Sequence, residues 1–132
     1  MNDSYLNLLG LARRASLIES GDEATRGAVS KGAVRLLLLA KDSSDRTFET
    51  FTFIAESAEI PCITLPATRE EIGNAIGKRP TAVIALCDNG FSLSILKKLA
   101  ADVDEAKNLL PLFEKKAERA KRRKKASRKQ ET

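Results

Sequence analysis

Two pairs of adjacent acids are the most concentrated candidates for chemistry in this sequence. Asp22-Glu23 and Glu70-Glu71 each lie in the first turn of a predicted helix. Carboxylates at that position offset the positive end of the helix dipole, which explains both pairs without any reaction. The chain contains no histidine, so it lacks the commonest general base and the Ser-His and Cys-His nucleophile pairs. The residue types therefore do not predict an enzyme.

Cofactor-binding motifs are also missing from the sequence. No GxGxxG follows a predicted strand, and there is no GKS or GKT. We interpret the glycines at positions 73, 77 and 90 as helix caps and packing points. Cys62 and Cys87 lie in apolar runs without a CxxC motif; they are interpreted as reduced, buried thiols, with a disulfide or a metal pair as the alternatives. We expect no cofactor and no bound metal.

The positive charge of the chain is concentrated at its C-terminal end. The 132 residues carry a net charge of +5. Residues 115–132 hold ten Lys and Arg against two Glu, whereas residues 1–114 hold thirteen Lys and Arg against sixteen Asp and Glu. The run Lys121, Arg122, Arg123, Lys124, Lys125 could clamp an RNA backbone without reading its sequence. The alternative is a disordered, solubilising charge run. Because no aromatic residue is interleaved, this tail should raise affinity and not selectivity.

The sequence also indicates the cellular compartment of the protein. It has no apolar run of about 18 residues that would predict a membrane span. Its start lacks the basic residues that precede the apolar core of a secretory signal. We therefore expect a cytoplasmic protein without membrane contact.

Helices and strands alternate along the chain with short connections, which predicts an α/β domain with helices on both sides of a sheet. Ser4, Asp42 or Ser44, and Thr68 are candidate N-caps, and Glu71 completes a capping box with Thr68. We expect a domain over residues 1–103 and a basic tail over 104–132, partly helical and disordered beyond about Arg122. The predicted helices are 4–14, 21–31, 45–59, 68–77 and 91–101, and the predicted strands are 17–19, 34–40, 62–65 and 81–87.

The order of these elements resembles the L7Ae-like family of kink-turn-binding ribosomal proteins. The features that carry the resemblance are the helix start at Gly21 with Gly32 eleven residues on, the strand RLLLLAKD, and the run IPCITLPATREEIGNAIGKRPTAVIAL. GLARRA before the first strand and DNGFS after the last are most similar to the small bacterial YlxQ-type members. The resemblance covers about residues 4 to 101. It implies a three-layer α/β/α sandwich with a mixed four-stranded sheet.

The family also implies an RNA partner and a place for it. Its members bind RNA kink-turns, where tandem sheared G·A pairs adjoin a three-nucleotide bulge. The start of the second helix meets those pairs, and the loop before the last strand covers the flipped-out nucleotides. Carried onto this chain, the resemblance implies that RNA is bound by Gly21, Asp22, Glu23, Arg26, Lys31, Lys41, Arg69, Gly77, Lys78, Arg79 and Pro80. It further implies ribosomal RNA, the ribosome or translation factors as partners, and we expect a monomer.

This sequence departs from the family pattern at the second helix. The family reads Gly, any residue, Asn, Glu, two more residues, then Lys. Placed on Gly21 without a gap, those three positions hold Glu23, Ala24 and Gly27. A shift by one residue would match Asp22-Glu23 and Arg26, but it breaks the spacing to Gly32.

Two interpretations follow from that departure. In the first, Glu23 accepts hydrogen bonds from guanine N1–H and N2–H₂, while Arg26 and the other cations contact the RNA backbone. In the second, the chain is a protein-interaction module of the translation machinery that has lost base recognition and keeps a non-specific RNA-binding tail.

Overall fold

The computed structural model describes residues 3–130, with side chains described as far as residue 125. Within this part the chain forms helices and strands that alternate as the sequence predicts. In chain order they are α1 (Ser4–Arg14), β1 (Ile18–Ser20), α2 (Asp22–Ser30), β2 (Leu36–Leu39), α3 (Asp45–Ser57), β3 (Cys62–Thr64), α4 (Arg69–Ile76), β4 (Val83–Leu86), α5 (Asn89–Leu99) and α6 (Asp104–Gln130).

The four strands form one mixed sheet in the order β1-β4-β2-β3. β4 is antiparallel to both of its neighbours, with Val83 opposite Leu39 of β2 and Ile84 opposite Ser20 of β1. β3 is parallel to β2. The carboxyl ends of β1, β2 and β3 therefore lie at the same edge of the sheet as the amino end of β4.

Helices cover both faces of the sheet, which confirms the three-layer α/β/α sandwich. Because alternate strand residues point to opposite faces, β2 divides its four buried leucines between two cores. Leu36 and Leu38 pack with residues of α1, α4, α5 and α6. Leu37 and Leu39 pack with Ala28 of α2 and with Phe51 and Ala55 of α3.

Local capping signals set most helix ends. Ser44 caps α3 through its side chain, and Thr68 and Glu71 form the predicted capping box at α4. Gly77 ends α4 in the left-handed conformation, with φ of +70°. One predicted cap was wrong, since Ser4 is the first residue of α1 and its N-cap is Asp3. Of the two candidate caps of α3, Ser44 makes the cap, and Asp42 instead accepts a hydrogen bond from the Arg69 N–H at the start of α4.

Some predicted burial is also corrected by the structure. Phe48 and Ala58 continue the apolar helical spacing of Phe51 and Ala55, but both are exposed because they lie at the two ends of α3. Cys62 and Cys87 are free thiols that are half-buried, not fully buried. Burial is still the main cause that raises the pKa of Cys62 to about 11.

The last helix extends the packed part of the chain beyond residue 103. Ala106 and Phe113 of α6 are fully buried in the same core as α1 and α5. The helix then continues to Gln130. Its last turns contain no Gly or Pro and are rich in Lys, Arg and Ala, which favour helix. In the described residues, no helix is long and apolar enough to cross a membrane.

Candidate nucleic-acid interface

The sheet topology brings four separate segments of the predicted interface to one edge. Gly21 follows β1, Lys41 follows β2, and Arg69 begins α4 shortly after β3. The segment Lys78–Pro80 precedes β4, whose amino end lies at the same edge. These segments are distant in sequence, and they meet here because β4 runs antiparallel between β1 and β2.

Helix α2 begins immediately at the end of β1. Gly21 is its N-cap with φ of +89°, a conformation that other residues adopt with strain. The Gly21 N–H donates to the carbonyl of Val83 at 3.0 Å, which ties the helix start to β4. The first turn of the helix therefore has a fixed position beside the segment that precedes β4.

The charged side chains of α2 differ in whether they have a partner within the protein. Asp22 forms an ion pair with Arg26 at 2.5 Å. The Arg26 guanidinium also lies 5.5 Å from the centre of the Phe51 ring, within cation–π range. Glu23 is exposed and makes no hydrogen bond or ion pair within the described residues. Of the two acids, Glu23 is the one whose carboxylate is open to an outside donor.

The segment Lys78–Pro80 is held by its backbone. The Lys78 N–H donates to the Gly73 carbonyl at 2.8 Å. The Thr81 hydroxyl donates to the Arg79 carbonyl at 2.7 Å, and Thr81 N–H donates to the Arg69 carbonyl at 2.9 Å. Lys78, Arg79 and Pro80 are themselves exposed. The backbone is thus fixed against α4, while the two cationic side chains face solvent.

An open cleft of about 560 Å³ joins the start of α2 to this segment. Gly21 and Asp22 line one side, and Lys78, Arg79 and Pro80 line the other. Thr47 and Phe51 of α3 also line it. Neither residue is recognisable from the sequence in this role, because an apolar residue at helical spacing, such as Phe51, is typical of a core position.

Arg69 and Lys41 lie at the same edge and have acidic neighbours. The Arg69 backbone N–H donates to Asp42 Oδ1 at 2.7 Å, and Arg69 Nε lies 3.5 Å from Asp42 Oδ2. These contacts, with the backbone hydrogen bond as the largest cause, lower the pKa of Asp42. The Thr68 backbone N–H is the largest cause that lowers the pKa of Glu71, to which Lys41 also contributes.

Lys31 and the tail cations were predicted to bind RNA, but they do not lie at the edge of the sheet that holds the cleft. Lys31 follows the far end of α2, and it lines a different groove with Glu19 and Cys87. A helix of nine residues is about 13 Å long, so Lys31 is separated from the cleft by the whole helix. The tail cations Lys121, Arg122, Arg123, Lys124 and Lys125 are all exposed on α6.

The side chains at this edge can form ion pairs and hydrogen bonds with an outside partner. The described residues contain no group of three or more His, Cys, Asp or Glu that could hold a metal ion. The cleft is lined by the exposed cations Lys78 and Arg79, by Asp22 and by the hydroxyl-bearing residues Ser20 and Thr47. Glu23 is not among the lining residues and follows Asp22 in the first turn of α2. Such groups can bind phosphates and the hydrogen-bonding edges of bases.

Three relatives are 30–33% identical to this chain over the aligned residues. RNA-binding protein YlxQ of Enterococcus faecium is 33% identical over 87 residues, which cover 66% of this chain and 82% of that protein. RNA-binding protein YlxQ of Bacillus subtilis (strain 168) is 30% identical over 95 residues, 72% and 94% of the two chains. Large ribosomal subunit protein eL8 of Haloquadratum walsbyi is 31% identical over 106 residues, 78% and 87% of the two chains. No protein-family model matches.

Solved structures show the same architecture. A protein of unknown function from Bacillus halodurans C superimposes with a TM-score of 0.67 and 34% identity, covering 73% of this chain and 96% of that one. The Giardia lamblia 15.5kD RNA binding protein gives a TM-score of 0.58 over 73% of this chain and 82% of that one, and at 18% identity it supports the fold alone. The chain therefore belongs to the L7Ae-like family, as one of its YlxQ-type members.

Proposed function

We propose that this protein is a non-enzymatic RNA-binding protein that recognises a structured, kink-turn-like RNA in the cytoplasm, in association with the ribosome or the translation machinery. The relatives named above are RNA-binding and ribosomal proteins, not enzymes. The observation that carries the proposal is the cleft itself. It places the first turn of α2 opposite the Lys78–Pro80 segment at an edge that also holds Arg69 and Lys41.

In this proposal, Lys78 and Arg79 contact the phosphate backbone of the RNA. Both are exposed, and neither side chain has an ion-pair partner within the described residues. Their backbone is fixed by Gly73 and Thr81, so the binding of phosphates has to order the two side chains but not the segment itself. Arg69 and Lys41 add positive charge along the same edge, although Asp42 and Glu71 offset part of it.

Base recognition is assigned to Glu23. A carboxylate repels phosphate, but it accepts hydrogen bonds from the N1–H and N2–H₂ groups of guanine. Asp22 is already paired with Arg26, so its free acceptor capacity is smaller. The helix dipole at the start of α2 stabilises the charge of Glu23 and leaves its oxygens free to accept.

The test measures selectivity on full-length protein whose tail no longer adds non-specific affinity. In that background, Lys121, Arg122, Arg123, Lys124 and Lys125 are replaced by Gln, a residue of similar helix propensity. Affinity is measured for a kink-turn RNA and for the same RNA with both sheared G·A pairs changed to Watson–Crick pairs. We expect a preference of about tenfold or more for the kink-turn, equivalent to about 1.4 kcal/mol.

Two substitutions then locate the site. Lys78→Gln with Arg79→Gln should weaken binding to the kink-turn RNA, and Glu23→Gln should reduce the preference between the two RNAs. The control is Lys97→Gln with Lys107→Gln, which removes the same charge from exposed positions on α5 and α6. Equal binding to both RNAs would contradict kink-turn recognition and favour the protein-interaction alternative. If Glu23→Gln lowers stability and leaves the preference unchanged, Glu23 only stabilises the helix.

A further inference from the structure

The basic half of α6 lies at the opposite end of the domain from the cleft. Lys116 lines a groove with Arg35, Pro61 and Gly32, which stand at the amino ends of β2 and β3 and beyond the end of α2. The Lys116 ammonium lies 4.8 Å from the centre of the buried Phe113 ring, which fixes the helix at this point. Beyond Lys116 the helix leaves the packed domain.

The distance between the two ends follows from the strand that joins them. Arg35 precedes β2 and Lys41 follows it, so they are six residues apart along extended chain. At about 3.3 Å per residue the separation is about 20 Å. From Ala117 to Gln130 the helix adds about 20 Å at 1.5 Å per residue. The tail cations are therefore held well away from Lys78 and Arg79.

The charge at this far end is strongly positive. Between residues 115 and 125, α6 carries eight Lys and Arg against Glu118, which pairs with Arg122 at 3.2 Å. From Lys121 to Lys125 every side chain is basic and exposed. Arg35 and Lys31 add two exposed cations at the same end, with Glu59 and Glu19 beside them.

Among the described residues, the only ion pair of the run from Lys121 to Lys125 is that of Arg122 with Glu118. Like charges four residues apart, as in Lys121 and Lys125, repel each other and destabilise a helix. No residue described beyond Phe113 is buried. A polyanion laid along the helix would remove this repulsion and release its own counterions, so charge complementarity selects phosphate backbone as the occupant.

We infer that α6 from Lys115 to Lys125, with Arg35 and Lys31, is a second RNA-binding surface that takes the phosphate backbone of a double-helical segment other than the one held at the cleft. The inference rests on the proposed function in that both surfaces bind one RNA. The protein then bridges two segments of a folded RNA, and the second contact is intramolecular once the first has formed.

The experiment compares two RNAs that share one kink-turn. In the short RNA, the helical arms are only long enough to fold. In the long RNA, one arm is lengthened to about 16 base pairs, the span of a double-stranded RNA-binding domain. Each of the arms is lengthened in turn. The full-length proteins are the unmodified chain, the variant with Lys121, Arg122, Arg123, Lys124 and Lys125 replaced by Gln, and the cleft variant Lys78→Gln with Arg79→Gln. Affinity is measured over a range of salt concentrations.

Lengthening one arm should raise the affinity of the unmodified chain about tenfold or more, and the tail variant should lose that gain. The slope of log affinity against log salt should become shallower by about 4 in the tail variant, as expected for five lost phosphate contacts. The cleft variant should keep the gain. The pair Lys121→Gln with Lys125→Gln should lower the gain more than the control pair Lys97→Gln with Lys107→Gln.

Two results would overturn the inference. If the tail variant loses the same factor on the short and the long RNA, the tail contacts the segment held at the cleft. If it loses nothing on either RNA, α6 does not bind RNA. Failure of the proposed function is distinguishable, because tail-dependent binding to a plain duplex of about 16 base pairs would persist without any preference for the kink-turn.

Discussion

Replacing Gly73 by Ala should destabilise the protein and displace the segment that lines the cleft. Gly73 lies inside α4, where alanine is intrinsically the better helix former by about 1 kcal/mol. A Cβ at this position, however, would lie 2.3 Å from the Arg79 carbonyl oxygen, 2.7 Å from its carbon and 2.9 Å from the Lys78 oxygen. All three are backbone atoms, so the clash cannot be relieved by rotating a side chain.

The loss of stability in Gly73→Ala can be worked out from the displacement of the segment Lys78–Pro80. Inserting a methyl group into a packed site typically costs about 1–3 kcal/mol. Moving the segment also weakens the hydrogen bonds from Lys78 N–H to the Gly73 carbonyl and from the Thr81 hydroxyl to the Arg79 carbonyl, each worth about 1 kcal/mol. After subtracting the gain in helix propensity, the free energy of unfolding should fall by about 1–3 kcal/mol.

The assay is urea denaturation of the full-length chain, with kink-turn affinity measured on the folded variant. Gly27→Ala is the matched control, since Gly27 is also within a helix but its Cβ would meet nothing within 4 Å. That substitution should raise the free energy of unfolding by about 0.4–1 kcal/mol. If Gly73→Ala stabilises the protein as Gly27→Ala does, the close packing of α4 against the segment is refuted.

Two further predictions concern stability. The pKa values of Asp42 and Glu71 lie below their ordinary values of 3.8 and 4.5. The two carboxylates therefore stabilise the fold at pH values above their ordinary pKa values, and this stabilisation is lost as the pH falls through the lowered pKa values. Asp42→Asn should flatten the acid branch of a plot of stability against pH, whereas Glu49→Gln should not. Phe113→Ala should lower the free energy of unfolding by about 3–5 kcal/mol because the ring is fully buried, while Leu112→Ala, at a residue 43% exposed, should change it far less; similar effects would contradict the packing of α6.

Much of the fold was predictable because its signals are local. The capping box of Thr68 and Glu71 spans four residues, and Gly77 ends its helix through its own backbone conformation. The apolar runs that became β2 and β4 are buried on both faces. Signals of this kind depend on hydrogen bonds and periodicity within a few residues, so they are readable without knowing what packs where.

The sequence predictions failed for residues whose partners in the fold are distant in the sequence. Asp42 was a plausible helix cap, yet it contacts Arg69, which is 27 positions away. Phe113 lies in the segment that the sequence placed outside the domain, and its burial depends on the surface offered by α1 and α5. Lys31 was grouped with the other cations expected to contact RNA, whereas the direction of α2 carries it to another groove.

The sequence by itself determined the order of the elements, their caps, the buried strands and the concentration of positive charge in the last residues. The tertiary structure alone decided which charged residues share a surface. The antiparallel placement of β4 joins Gly21 to Lys78 and Arg79, and the path of α6 takes the tail to the other end. The physical reason is that strand order and helix direction are fixed by burial of the whole sheet, to which every segment contributes and which no single segment encodes.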